Sequence, residues 1–123
     1  MPDTIRIFAT LSINDGQLDA FKERAAAAVE SVRANEPGML VYEWYVSEDG
    51  KTCHIVEEYA DAAALAAHSA GEVGKTLIPQ LFEVSSMTSL KVMADPATAP
   101  EQVQQMASRM GGLNSHIGGV TRR

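Results

Sequence analysis

MLVYEWYV at residues 39–46, Asp49-Gly50, and CHIVEEYA at residues 53–60 form the stretch that decides the fold. Both segments are rich in β-branched and aromatic residues, which favour a pleated, half-buried surface. Asp49-Gly50 between them is a hairpin signal, because Gly accepts the left-handed backbone that a tight turn needs. The centre of the chain is therefore predicted to be an antiparallel hairpin. Upstream, Asn35-Glu36-Pro37-Gly38 stops a helix, since Pro cannot continue one and Gly tolerates the left-handed exit. That helix runs back to Asn14-Asp15-Gly16, which can supply its cap. Leu18, Phe21, Ala25, Ala28, Val29 and Val32 recur along it at spacings of three and four, the stripe of an amphipathic helix.

Further out, IRIFATLSI at residues 5–13 alternates apolar and other residues with the period of a strand. Downstream of the hairpin, Asp61 caps a second helix that runs through Leu65 to His68. Gly71 and Gly74 interrupt it, and residues 75–82 form a further turn or two, kinked at Pro79. VSSMTSLKVM at residues 84–93 is the last strand. The order β-α-β-β-α-β predicts an α+β, ferredoxin-like domain: a four-stranded antiparallel sheet with both helices on one face. The second strand is apolar on both sides, with Leu40, Tyr42, Trp44 and Val46 on one face and Met39, Val41 and Tyr45 on the other. A sheet backed by helices on one face only should be polar on its second face. The chain has too few elements left to cover that face alone, so a second subunit packed sheet against sheet is expected.

The domain is expected to span residues 1–94. Residues 95–123 form a C-terminal extension in which Thr98-Ala99-Pro100-Glu101 reads as a capping box. Val103, Met106, Ala107 and Met110 make a narrow apolar stripe, ended by Gly111-Gly112. So short a helix needs to dock on something to persist.

With 123 residues, 46% of them hydrophobic and a net charge of −6, the chain has the make-up of one acidic globular domain. The acidic balance argues against nucleic acid, because phosphate backbones are held by clustered cations. The only adjacent basic pair is Arg122-Arg123. No apolar run approaches the ~20 residues that span a bilayer, and residues 1–4 show no basic stretch leading into an apolar one. A single cysteine, Cys53, excludes an internal disulfide and fits a reducing interior, so a cytoplasmic location is expected.

Several chemical motifs fail. Gly71-Glu72-Val73-Gly74-Lys75-Thr76 resembles part of a phosphate-binding loop, but Ser69 stands where its first Gly belongs, and it follows a helix rather than a strand. Ser69 lacks the strand and first Gly of a nucleophile elbow. His54, His68 and His116 show no metal-ligand spacing, and Cys53 and His54 point to opposite strand faces. No dinucleotide or flavin glycine loop is present. His68 remains: two turns into the second helix and three residues after Leu65, it lies on or near the inward face, close to the third strand. An imidazole there suits proton transfer near neutrality. The alternative reading is a core histidine satisfied by a tyrosine or carboxylate.

Glu36-Pro37-Gly38-Met39-Leu40-Val41-Tyr42-Glu43, then Glu57-Glu58-Tyr59-Ala60-Asp61 and a helix carrying Ala67-His68, resembles the antibiotic biosynthesis monooxygenase (ABM) domain over roughly residues 3–94. The resemblance implies a dimeric α/β barrel joined through its sheets. It also implies oxygenation of a quinol or polyphenol by O₂ without metal, haem or nucleotide cofactor. His68 would then take a proton, with Tyr59 as a second catalytic group. Tyr42 and Trp44 would wall an aromatic ligand, and Glu57 would orient His68 or bind substrate. Tyr59 stands where many relatives have Trp, and Ser69-Ala70-Gly71-Glu72-Val73-Gly74 replaces a bulkier continuation. Phe8-Ala9-Thr10 in the first strand, where haem-degrading barrels use Asn, disfavours haem degradation. A non-catalytic dimeric module that binds a small apolar compound or serves a stress response is the alternative on the same fold, since scaffold alone does not fix function.

Overall fold

The structure is a computed structural model that describes residues 4–95 and 98–122. The composition noted at residues 1–4 therefore falls almost wholly outside the described residues, as does Arg123 of the terminal basic pair. β1 (Ile5–Ile13), α1 (Leu18–Asn35), β2 (Met39–Val46), β3 (Thr52–Tyr59), α2 (Ala62–Ala70) and β4 (Ser85–Met93) follow the expected βαββαβ order. Between α2 and β4 the chain makes a π-helical turn, Val73–Leu77, and a single α-helical turn, α3 (Ile78–Leu81). Pro79 accounts for that irregularity: it has no N–H for a regular helical bond, and Ile78 N–H instead reaches back five residues to the Val73 carbonyl.

The strands lie in the order β2-β3-β1-β4-β5. β3 and β4 flank β1 antiparallel, and β2 pairs antiparallel with β3. The expected four-stranded antiparallel sheet is thus a mixed five-stranded one, because β5 (Leu113–Asn114) adds to β4 in parallel. Two residues carry too little pattern to announce themselves. β1 alternates as expected, with Ile5, Ile7, Ala9, Leu11 and Ile13 all buried. They share one core with Phe21 of α1 and Leu65 of α2.

β2 departs from strict alternation. Its register shifts between Met39 and Val41, so Met39 packs on the core while Leu40 is 48% exposed. Of the four residues expected to share one face, Tyr42 and Trp44 pack on the core, whereas Leu40 and Val46 are exposed. The other sheet face carries Arg6, whose guanidinium holds the buried Glu58 at 2.7 Å, together with the exposed rings of Phe8 and Tyr45.

Two connections set the site. Asp61 caps α2 as expected, accepting from Ala64 N–H at 2.9 Å. At the end of α1, Glu36 N–H donates to the Val32 carbonyl and Met39 N–H to the Glu36 carbonyl, a tight turn into β2. Gly38 in that turn faces α2 so closely that a Cβ would lie 2.7 Å from the Ala64 Cβ. Glycine is what lets the turn and α2 approach.

The extension docks on the body. α4 (Glu101–Met110) packs on β4, burying Val103 and Ala107 in the common core. The expected capping box does not form: α4 begins at Glu101 after Pro100, without a side-chain cap. Thr98 N–H is instead taken by the Asp95 carbonyl.

Candidate active site

A cavity of about 450 Å³ lies between the inner sheet face, α2, α3 and α4. β3 is a strand, so Glu57 and Tyr59 share its inward side, two residues apart. β2 places Tyr42 beside Glu57 in register. α2 lowers His68 onto this group, and the α1–β2 turn brings Glu36 behind it.

His68 Nδ1 lies 2.8 Å from Glu36 Oε1. A carboxylate oxygen only accepts, so Nδ1 is the donor in this contact, and Nε2 is the ring nitrogen on the Glu57 side. Nε2 stands 3.9 Å from Glu57 Oε1, beyond a direct hydrogen bond. Tyr42 and Tyr59 hold the imidazole edge-on, each with ring centroids 5.6 Å from it. Tyr59 donates its hydroxyl to Glu57 Oε1.

Electrostatics divides the groups by role. Burial drives the Glu57 carboxyl above the ordinary carboxylate range, although the Tyr59 hydrogen bond and His68 pull the other way. Burial also raises both phenols, Tyr59 most, with the Glu57 charge adding to it. These tyrosines are therefore hydrogen-bond donors rather than phenolates. A carboxyl that favours its proton thus stands across 3.9 Å from the Nε2 edge of an imidazole.

The buried carboxyl also links stability to pH. Folded Glu57 holds its proton above the ordinary value of 4.5, so the folded chain binds more protons than the unfolded one as pH rises from there. Its contribution to stability is full below that value and is lost as pH climbs through the raised one. Glu57→Gln, whose amide oxygen still accepts from Tyr59, has nothing to titrate. Thermal melting across pH should show a shallower decline in the variant than in the native chain. An equal or steeper decline would contradict the burial argument.

The residues singled out from sequence are placed as follows. His68, Tyr59, Tyr42 and Glu57 all line the cavity. Trp44 stands behind Tyr42 in T-shaped contact, with Phe21 on its other side, and supports the wall without forming it. Cys53 is buried, which pushes its thiol up to about 11 and keeps it unreactive. Glu36 was legible as part of a helix stop and of the Glu-Pro-Gly stretch that carries the family resemblance, and nothing in its spacing announces a partner 32 residues on. The α4 wall, from Val103, Met106 and Met110, was legible as an apolar stripe without a destination. Among the described residues no cluster of three or more His, Cys, Asp or Glu has metal-holding geometry. No described helix is long and apolar enough to cross a membrane.

The sequence pattern of the family described as antibiotic biosynthesis monooxygenase matches residues 4–77. The chain belongs to that family. Its ABM fold is shared with the crystal structure of MupZ from Pseudomonas fluorescens, at a TM-score of 0.83 and 23% identity over 99% of this chain and 91% of that one. A Caulobacter crescentus protein carrying the same family name superposes at 0.65 with 24% identity, over 74% of this chain and 86% of its own. Rv0793 from Mycobacterium tuberculosis gives 0.66 and 21%, over 75% and 94%. The likeness to MupZ thus reaches across the α4–β5 extension, whereas the other two span about three quarters of the chain. No curated protein matches the sequence.

Proposed function

We propose that this ABM protein is a cofactor-independent monooxygenase acting on a quinol or polyphenol, with His68 as the base. The observation that carries the reading is the 3.9 Å gap between His68 Nε2 and Glu57 Oε1 inside an otherwise apolar cavity. A substrate oxygen set to one side of the line joining Nε2 and Oε1 can lie about 2.8 Å from both groups. It donates its proton to Nε2 and accepts from the Glu57 carboxyl. The Glu36 carboxylate stabilises the imidazolium that results, and the phenolate keeps the Glu57 hydrogen bond.

An ionised, electron-rich ring transfers an electron to O₂, and the pair recombines to a peroxide at ring carbon. Loss of water then leaves a quinone. One oxygen atom enters the product and the other becomes water, the substrate supplying all the electrons. The protein's part is to take the proton and to keep water from the intermediates. The open sheet face, with Phe8 and Tyr45 exposed, supports a homodimer formed sheet to sheet.

Isotope-labelled O₂ tests the reading with a panel of hydroquinones in chelator-treated buffer. One labelled atom per product, with one O₂ consumed, is the expected result. Turnover that proceeds equally without O₂ would make the same groups an acid–base catalyst of another reaction. Saturable binding without turnover would favour the non-catalytic module.

A further inference from the structure

The cavity is polar at one end only. Tyr42, Glu57, Tyr59 and His68 come from β2, β3 and α2. From there the floor crosses β1 to β4 and carries Ala9, Leu11, Met87 and Leu90, while Val103 and Met106 of α4 stand over it. From β3 to β4 is two strand spacings, roughly 10 Å, longer than one aromatic ring.

Volume gives the same answer. A dry apolar cavity of about 150 Å³ suffices to hold benzene, and this one measures about 450 Å³. A ring seated against His68 therefore leaves most of the space to apolar wall. The cavity opens beside Phe82 at 42% exposure, Met106 at 47% and Met110 at 37%. These are large apolar side chains left facing water at a mouth, and the two methionines adapt readily to different shapes.

We infer that the substrate is an amphiphile: a phenolic head at the His68–Glu57 end joined to an apolar chain that runs over β1 and β4 beneath α4. Met106, Met110 and Phe82 meet the far end of that chain and set the length accepted. This rests on the acid–base reading of the same site. It adds the substrate class, and it gives the extension a task as the roof of the chain-binding half.

Calorimetric titration with para-methyl-, para-butyl- and para-hexylphenol, and with hexylbenzene, tests it on the full chain. Affinity should rise about threefold to fourfold per added CH₂, and hexylbenzene, lacking the head, should bind at least tenfold more weakly than hexylphenol. Met106→Glu combined with Met110→Glu changes two exposed positions and leaves the buried Val103 and Ala107 in place, and thermal melting checks that the variant is folded. It should weaken hexylphenol by about tenfold and flatten the dependence on length. An affinity independent of chain length, parity between hexylbenzene and hexylphenol, or an unaltered slope in the double variant would overturn the inference. These monohydric phenols are read by binding alone. Failure of quinol oxygenation would leave this result standing, and loss of the length dependence would leave the oxygenase reading standing.

Discussion

Replacing His68 by Ala should lower kcat for quinol oxygenation by on the order of 10²–10⁴-fold, the range a positioned general base supplies. The fall should be in kcat more than in KM, because the ring is held by apolar contacts that the substitution leaves in place. Ala also strips Glu36 of the donor at 2.8 Å, leaving a buried acceptor unsatisfied at a cost of about 1–3 kcal/mol. His68→Gln separates the two effects, since its amide N–H can serve Glu36 but cannot act as a base. Melting temperature and initial-rate O₂ uptake measured together on both variants check this. Both should show that fall in turnover, with Gln melting nearer the native chain. Turnover retained in a folded His68→Gln protein would remove the imidazole from the chemistry.

The second large effect is expected at Glu36, which does not touch the cavity's substrate volume and acts through His68. Glu36→Gln should lower kcat by on the order of 10²–10⁴-fold, the loss that follows when the carboxylate orienting a general-base imidazole becomes an amide. The reason is the tautomer. A carboxylate can only accept, so it fixes the proton on Nδ1. An amide can also donate, which lets the proton move to Nε2 and silences the base. It also lacks the charge that stabilises the imidazolium. KM should move little, and Glu36→Asp, which keeps the charge one CH₂ further back, should restore part of kcat. A merely structural Glu36 would change stability and KM without this split between Gln and Asp.

How much of this was legible depended on whether a residue's role lies in its neighbours along the chain or across the fold. The alternation of Ile5, Ile7, Ala9, Leu11 and Ile13 and the stripe through Phe21, Ala28 and Val32 are local periodicities, and they foretold the strand, the helix and their buried faces. The cap at Asp61 was legible for the same reason. The facing of β2 was not. One irregularity between Met39 and Val41 sends Leu40 outward and Met39 inward, and a period-2 reading has no way to see an extra residue in a strand.

His68 was found because helical spacing sets its face, and its pairing with Glu57 and Tyr59 follows once β3 is known to lie beneath. Glu36 was hidden by the stronger local meaning of Glu36-Pro37-Gly38 as a helix stop. Trp44 shared the strand face of Tyr42, yet its ring is taken up between Tyr42 and Phe21, a packing detail that sequence spacing does not encode. α4 was recognised as an amphipathic segment. That it roofs the cavity, with β5 clipped onto β4, is tertiary information alone.

The central claim is that His68 takes the substrate's proton within an apolar cavity, and the most direct test is the ionisation state of a bound quinol in the absence of O₂. The protein is mixed anaerobically with a hydroquinone at a pH well below the quinol's own pKa, and the ultraviolet difference spectrum is recorded. The phenolate band should appear with the native chain and be absent with His68→Gln. A bound quinol that keeps its neutral spectrum on the native protein, or a phenolate band unchanged by the substitution, would contradict the account.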